Sequence, residues 1–413
     1  MESRFVTQVL GRDPAHSRPL FGAGALAVLV LAAAAIYTAA AVASELHERP
    51  KHVERFDRGG VVYAMTNASS GNQVFVFARD PKGRLQAVPR ATASTGGRGG
   101  SVTAPVDPLG SQGSLVYDAT SQTLFAVNAG DNTVTAFDTG LVGFPLRVQA
   151  RVASGGFIPV SLAVSGNLLY VLNAGGRGSV ATFAIGEHGA LDQIGSLDLN
   201  LAPQAAAPPF DQVPAPGQVG VDALARHLIV THAGGQEVLV AELDDRGVPA
   251  GPIVSTQTPG AGTFSFGVTR YGTLLVAEAA SASVSAFDAP AGIGALVATA
   301  SAVGTGQAAS CWIIVHDNGF AFVANTGSGT LSRYRYTRTG HLELDQAVAA
   351  STGAAPTDLT FANDGGFLYS LDAGSGDISG FAIDADSGTL TPVEAQGGLP
   401  ASAGIQGIAS RDF

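Results

Sequence analysis

Short apolar runs alternate with polar residues along most of the chain, and each run stops at a turn rich in Gly, Asn, Asp or Ser. Alternation with a period of two predicts half-buried β-strands, and turns of this composition predict antiparallel connections between them. One phrase recurs seven times: an apolar run ending in a polar residue, a small-residue turn, and a second alternating run. LFAVNAGDNTVTAF and FLYSLDAGSGDISGF are two copies. The polar residues that end the first runs are Asn67, Asn128, Asn173, His232, Glu278, Asn325 and Asp372, at intervals of 61, 45, 59, 46, 47 and 47. Intervals near 46 fit a unit of about four short strands. The two long intervals contain the Gly/Ser-rich stretch 94–114 and the Ala/Pro-rich stretch 200–217, which read as loop insertions.

In the last complete unit the pattern predicts strands at Asp358–Phe361, Phe367–Leu371, Asp377–Ile383 and Leu390–Ala395. Seven such four-stranded antiparallel meanders predict an all-β, seven-bladed β-propeller, because a closed ring of blades protects sheet edges that an open array would expose. The first unit begins at its second strand, Val61–Met65. The tail Ile405–Ser410 is the expected missing first strand, so the C-terminal strand joins blade 1 and closes the ring. The propeller is assigned to residues 59–413, after a linker over 44–58.

Ahead of the propeller, Phe21 to Ser44 carries no charge and follows Arg4, Arg12 and Arg18. The stretch is long enough to span a bilayer, and Ala41-Val42-Ala43 has the small-residue form of a cleavage site. Residues 1–43 therefore read as a signal peptide or an uncleaved N-terminal membrane anchor, and either places the propeller outside the cytoplasm.

The 413 residues carry 22 Lys+Arg against 33 Asp+Glu, a formal charge of −11. No basic surface for nucleic acid is expected. A single cysteine, Cys311, excludes an internal disulfide framework and a multi-thiolate metal site. No nucleotide-binding, zinc-protease, nucleophile-elbow or EF-hand signature occurs, and neither cofactor nor metal is expected. The expected partner is a small molecule in the propeller funnel, bound by a monomer.

In a meander of this order the turns between second and third strands share a rim with the connections between blades, so the Asn/His/Glu/Asp series faces that rim. A second set opens the first strand of each blade: Ser114, Ser161, Gln218, Ser265, Trp312, Asp358 and, from the tail, Gln406. Two rings of polar groups around a funnel form the default ligand site. The asparagines fit turn chemistry, whereas His232, Glu278 and Asp372 are ionisable. His232 and Glu278, equivalent in adjacent blades, are expected to share or orient a proton. Asp358 and Asp372 are expected close enough for one to titrate high. The proposed catalytic set is thus Glu278, His232, Asp358 and Asp372. Arg98, entering blade 2, and Arg177, in a turn of blade 3, can each pair bidentately with a carboxylate or phosphate. Gln218, Gln406 and Trp312 complete the ligand-binding set, with Trp312 read either as a stacking floor or as a plug that narrows the channel.

The repeated LYVLNAG and VATF phrases and the strand order resemble the lactonase-type seven-bladed propellers that include 6-phosphogluconolactonases and carboxymuconate-lactonizing enzymes. FAVNAGDNTVTAFD also resembles YVTN-repeat propellers. The resemblance implies lactone hydrolysis or cycloisomerisation in the top funnel, with Glu278 matching a family glutamate at the end of a second strand. It also implies a Pro-x-His phrase and an arginine at first-strand starts. Here those phrases read Pro159-Val160-Ser161, Pro216-Gly217-Gln218 and Pro356-Thr357-Asp358, and blade 5 opens Thr263-Phe264-Ser265. These departures weigh against 6-phosphogluconolactone and leave two readings, a neutral-lactone enzyme and a non-catalytic extracellular binding propeller.

Overall fold

The computed structural model describes residues 59–100, 106–140, 145–209, 211–288 and 294–413. The expected export segment and linker lie outside them. Seven antiparallel sheets follow one another along the chain. Blade 3 is typical: β9 (Pro159–Ser165), β10 (Leu168–Asn173), β11 (Ser179–Ile185) and β12 (Leu191–Asp198) pair in sequence order. Blade 7 repeats it with β25 (Pro356–Ala362), β26 (Phe367–Asp372), β27 (Asp377–Ile383) and β28 (Leu390–Gln396). Below, the strands of a blade are A to D in this order. Strand B is buried along its whole length, whereas strand D alternates toward solvent, as β12 does. This gradient follows from radial packing, in which inner strands are covered by both neighbouring blades and the last strand by none on its outer edge.

Aromatic residues fill the spaces between blades, among them Phe125, Tyr170, Phe322 and Tyr369, all buried. Burying one such ring is worth about 2 kcal/mol or more. The tyrosines also tie blades together, since a buried phenol needs an acceptor. Tyr170 donates to the Gly247 carbonyl of blade 4 at 2.7 Å, and Tyr369 to the Gly83 carbonyl of blade 1 at 2.7 Å.

Ring closure is as the sequence implied, with a shifted start. The C-terminal strand β29 (Ile408–Asp412) pairs antiparallel with β1 (Gly60–Met65), Tyr63 opposite Ala409. The tail strand begins at Ile408 rather than Ile405, because Gly407 turns to a positive φ of 101°. Gln406 and Gly407 still bond the Met65 backbone at 3.1 and 3.0 Å. The buried Arg79 guanidinium clamps the closure through Asp412 at 2.9 Å. Blade 7 also starts earlier than expected, at Pro356, because strand A opens with a bulge: Pro356 pairs with Asp372, and the next regular pair is Leu359 with Ser370. The same irregularity recurs in blades 3, 4, 5 and 6. A bulge re-aims a side chain, and here it governs the residues at the inner ends of the blades.

Candidate functional site

The series at the ends of strand B reaches the expected rim but does not line a funnel. Its members are buried and spent on holding strand B to strand C and to the incoming connection. Asn128 donates to the Thr133 and Thr135 hydroxyls at 3.1 and 2.9 Å. Asn325 does the same to Thr330 and Ser332 at 3.0 and 2.9 Å. Asn67, at a positive φ of 50°, accepts the Gly100 amide at 2.7 Å, and Asn173 donates to the Ser154 carbonyl at 3.1 Å.

Glu278 occupies the same clip with its polarity inverted. Its carboxylate accepts the Gly260 amide at 2.8 Å and the Ser285 and Ser283 hydroxyls at 2.7 and 2.6 Å. Asp372 accepts the Gly353 amide at 2.9 Å and the Ser370 and Ser379 hydroxyls at 2.8 and 2.5 Å. Burial pushes Asp372 up to about 6, against the pull of those hydroxyls and the amide.

The two expected carboxylate and histidine pairs do not form. His232 bonds Glu237 of its own blade through Nδ1 at 2.8 Å, and Glu237 also accepts Ser255, while the oxygens of Glu278 are taken up in blade 5. Glu237 stands five residues after His232, as Thr133 does after Asn128 and Ser283 after Glu278. That offset was visible in the aligned repeats and is the signal that identifies it. Among the described residues no group bonds Nε2 of His232. Asp358 likewise turns away from Asp372. At a φ of 103° in the blade 7 bulge, its Oδ1 accepts the Leu359 amide at 2.9 Å, and the amides of Ile408 and Gly113 face the carboxyl. Oδ2 is buried without a hydrogen bond of normal geometry. Burial pushes Asp358 up to about 7, and the charge that adds to this is Asp107, not Asp372.

Asp107 belongs to the feature that the repeat pattern concealed. Residues 107–113, inside the first insertion, cross the central channel. The Ser111 carbonyl accepts Trp312 Nε1 of blade 6 at 2.9 Å and Gln406 Nε2 of the tail at 2.6 Å. The Ser111 hydroxyl donates to Val160 of blade 3 at 2.8 Å. Gln112 pairs twice with the Ile313 backbone, at 2.9 and 3.1 Å, and its amide donates to Gly217 of blade 4 at 3.1 Å. A segment bonded to blades 3, 4 and 6 and to the tail fills the space their inner strands enclose. Trp312, buried and edge-on to Phe264 at 4.9 Å, therefore fastens a plug of the chain's own residues. Gln406 does the same.

The inner ring otherwise staples blades. The Val219 amide donates to Ser161 at 3.2 Å, Phe266 to Gln218 at 2.7 Å and Ile313 to Ser265 at 3.2 Å, each across one blade boundary. Asp107 accepts the Gly110 amide at 2.8 Å, and burial pushes it up to about 7. Burial, and secondarily the Asp107 charge, raise the Cys311 thiol far above its ordinary range, so it is no nucleophile.

The second insertion covers the same rim. Leu201 and Gln204 bond Arg177 and Gly176 of the blade 3 turn at 2.9 and 2.6 Å. Arg177 itself donates to the Asn200 carbonyl at 3.3 Å, so it holds the base of this arm. Beside the arm an open cleft of about 250 Å³ remains, lined by Ser69, Arg98, Gly99, Gly100, Gly130 and the pair Ala207-Pro208. Close backbone approach requires its glycines: a Cβ on Gly99 would lie 2.0 Å from the Asn67 carbonyl carbon. Among the described residues no cluster of His, Cys, Asp and Glu is arranged to hold a metal ion.

The family model described as lactonase, 7-bladed beta-propeller, matches residues 97–403. No curated protein matches the sequence significantly. Among solved structures the chain is similar to a Lactobacillus plantarum protein, with 19% identity, a TM-score of 0.68, and coverage of 86% of this chain and 99% of that one. It is similar to a periplasmic gluconolactonase of Pseudomonas aeruginosa, with 17% identity, a TM-score of 0.64 and coverage of 86% and 99%. It also resembles a candidate 6-phosphogluconolactonase of Bacteroides fragilis, with 16% identity, a TM-score of 0.64 and coverage of 86% and 98%. These structural likenesses speak to the fold, and the family match over most of the propeller decides membership: the chain belongs to the lactonase family of seven-bladed β-propellers.

Proposed function

We propose that this protein is an exported lactonase-family propeller that binds a small ligand on its upper rim and has given up lactone chemistry in the central funnel. The observation that carries this reading is the plug. A reactant needs a concave site with convergent, unspent polar groups, and here residues 107–113 occupy the channel and consume Trp312, Gln406 and Ser161. Glu278, the residue that matches a family glutamate, is buried with three donors on its carboxylate and offers no base to a substrate. Export is supported by the charge-free segment Phe21–Ser44 and accords with the periplasmic name of one structural relative.

The test is base consumption at constant pH by the full chain, in mild detergent, against neutral, carboxylated and phosphorylated lactones. Binding without hydrolysis is the expected result, and turnover lost in Glu278→Gln would overturn the reading. One observation favours a second reading, hydrolysis at the rim: His232 is oriented by Glu237 through Nδ1 and leaves Nε2 without a partner among the described residues, the arrangement of a carboxylate-supported general base. Turnover that survives Glu278→Gln and disappears in His232→Gln would select it.

A further inference from the structure

The rim cleft beside the second insertion has the makings of an anion site in a strongly acidic protein. Its one charged lining residue is Arg98. The backbone around it is pinned: the Arg98 amide donates to Asp131 at 3.2 Å, and its carbonyl accepts the Gly130 amide at 2.9 Å. The guanidinium, by contrast, has no hydrogen bond or ion pair to any described residue. Asp131, the carboxylate that holds the Arg98 backbone, does not neutralise it. Its Oδ2 faces Arg151 at 3.5 Å, and its Oδ1 accepts the Thr133 hydroxyl at 3.0 Å. The loop thus presents an exposed guanidinium, without a partner among the described residues, to a cleft of about 250 Å³.

The donor set narrows the class of anion. A phosphate dianion is commonly held by several backbone amides or by more than one cation. Here the glycine amides are already spent: Gly99 on the Ala68 carbonyl at 2.8 Å, Gly100 on Asn67 at 2.7 Å and Gly130 on Arg98. One guanidinium fork and the Ser69 hydroxyl remain, which match the two oxygens of a single carboxylate. The opposite wall, Ala207 and Pro208, is apolar and held in place by the arm's bonds to the blade 3 turn. Arg177 donates to that arm and does not line the cleft.

We propose that this cleft binds a small organic monocarboxylate, its carboxylate paired with Arg98 and its apolar body against Ala207-Pro208. This deepens the binding reading above and rests on it. The experiment is calorimetric titration of the full chain in mild detergent with butyrate and benzoate, alongside benzamide and inorganic phosphate. At least one of the two carboxylates should bind, with benzamide and phosphate at least tenfold weaker. Arg98→Gln should weaken carboxylate binding at least tenfold, and Arg246→Gln, a charge change in a loop on the opposite rim, should leave it unaltered. Absence of binding by both carboxylates, tighter binding of phosphate, or an unchanged Arg98→Gln variant would each overturn the proposal. Lactone turnover measured on the same samples separates the two ideas. Turnover together with Arg98-dependent carboxylate binding removes the non-catalytic reading and keeps the site, whereas neither turnover nor binding removes the site alone.

Discussion

At the residue scale, the same position at the end of strand B is filled by Asn128 and Asn325, which donate to hydroxyls, and by Glu278 and Asp372, which accept from them. Serine and threonine make the exchange possible because a hydroxyl can do either. Asp372→Asn should therefore be tolerated, with Ser379 turning to accept. Glu278→Ala strands a buried amide and two hydroxyls, and should destabilise the propeller by about 3 kcal/mol or more, read from denaturant unfolding. The pH dependence follows from the raised carboxyls. Asp358 and Asp372 hold their protons more tightly folded than unfolded. Their contribution is full below an unfolded value near 4 and is lost as pH rises through about 7 and about 6 respectively. Asp358→Asn, which keeps the shape and suits a positive φ, should lessen the fall of the melting temperature between about pH 4 and 7, leaving the share that belongs to Asp107 and Asp372, and should stabilise the protein at pH 8. A variant whose pH profile runs parallel to that of the parent would contradict this assignment. Glu278 and Asp372 were legible as candidates because they interrupt an asparagine series. Their hydroxyl partners stand at repeating offsets of five and seven residues, whereas the amides of Gly260 and Gly353 were not legible, since they depend on where the incoming connection settles, which a repeat alignment does not contain.

At the element scale, the insertion that lengthens one repeat interval contains the plug. Its hold is distributed, with Trp312 and Gln406 sharing the Ser111 carbonyl and Gln112 bridging to Ile313. Gln112→Ala removes the donor to the Ile313 carbonyl and one of the two side-chain acceptors of its amide, Ser265 being the other, and should cost about 1 kcal/mol. Trp312→Phe and Gln406→Ala should couple in a double-mutant cycle, because both side chains hold the same Ser111 carbonyl. Trp312 is the sole tryptophan of the chain, so its fluorescence reports the plug directly. In the native protein it should be shielded from acrylamide, and in Gln112→Ala it should become quenchable before the blades unfold. Simultaneous exposure of Trp312 and loss of β-sheet ellipticity would mean that the plug and ring form one cooperative unit. The strand pattern was readable to within one or two residues in blade 7 and three at the closing strand. The bulge that opens strand A displaced those boundaries, because a bulge changes pairing without breaking the alternation of residue types.

At the scale of the whole molecule, closure depends on β29 and on Arg79, whose buried guanidinium meets Asp412 at 2.9 Å. Asp412 also accepts the Asn363 amide at 2.8 Å, tying blade 7 to the same latch. Removing one partner of a buried charge is costlier than losing a surface pair, but Asp412 is partly exposed. Asp412→Ala should accordingly destabilise by about 2 kcal/mol, with unfolding measured by chemical denaturation. A change below about 0.5 kcal/mol would show that strand pairing alone closes the ring.

Blade number, strand order, the closing strand and the rim at which the strand B series ends were all readable from the amino-acid pattern. Each of these follows from the period of alternation and the spacing of turns, which are local properties repeated along the chain. What needed the three-dimensional arrangement is that residues 107–113 fill the channel, that Asp358 feels the charge of Asp107, and that Arg98 has no partner among the described residues while Arg177 has one. Those outcomes depend on where two irregular insertions, 94–114 and 200–217, settle on a closed ring. Such segments have no periodicity to read, and their positions are set by which unsatisfied groups the finished ring presents to them.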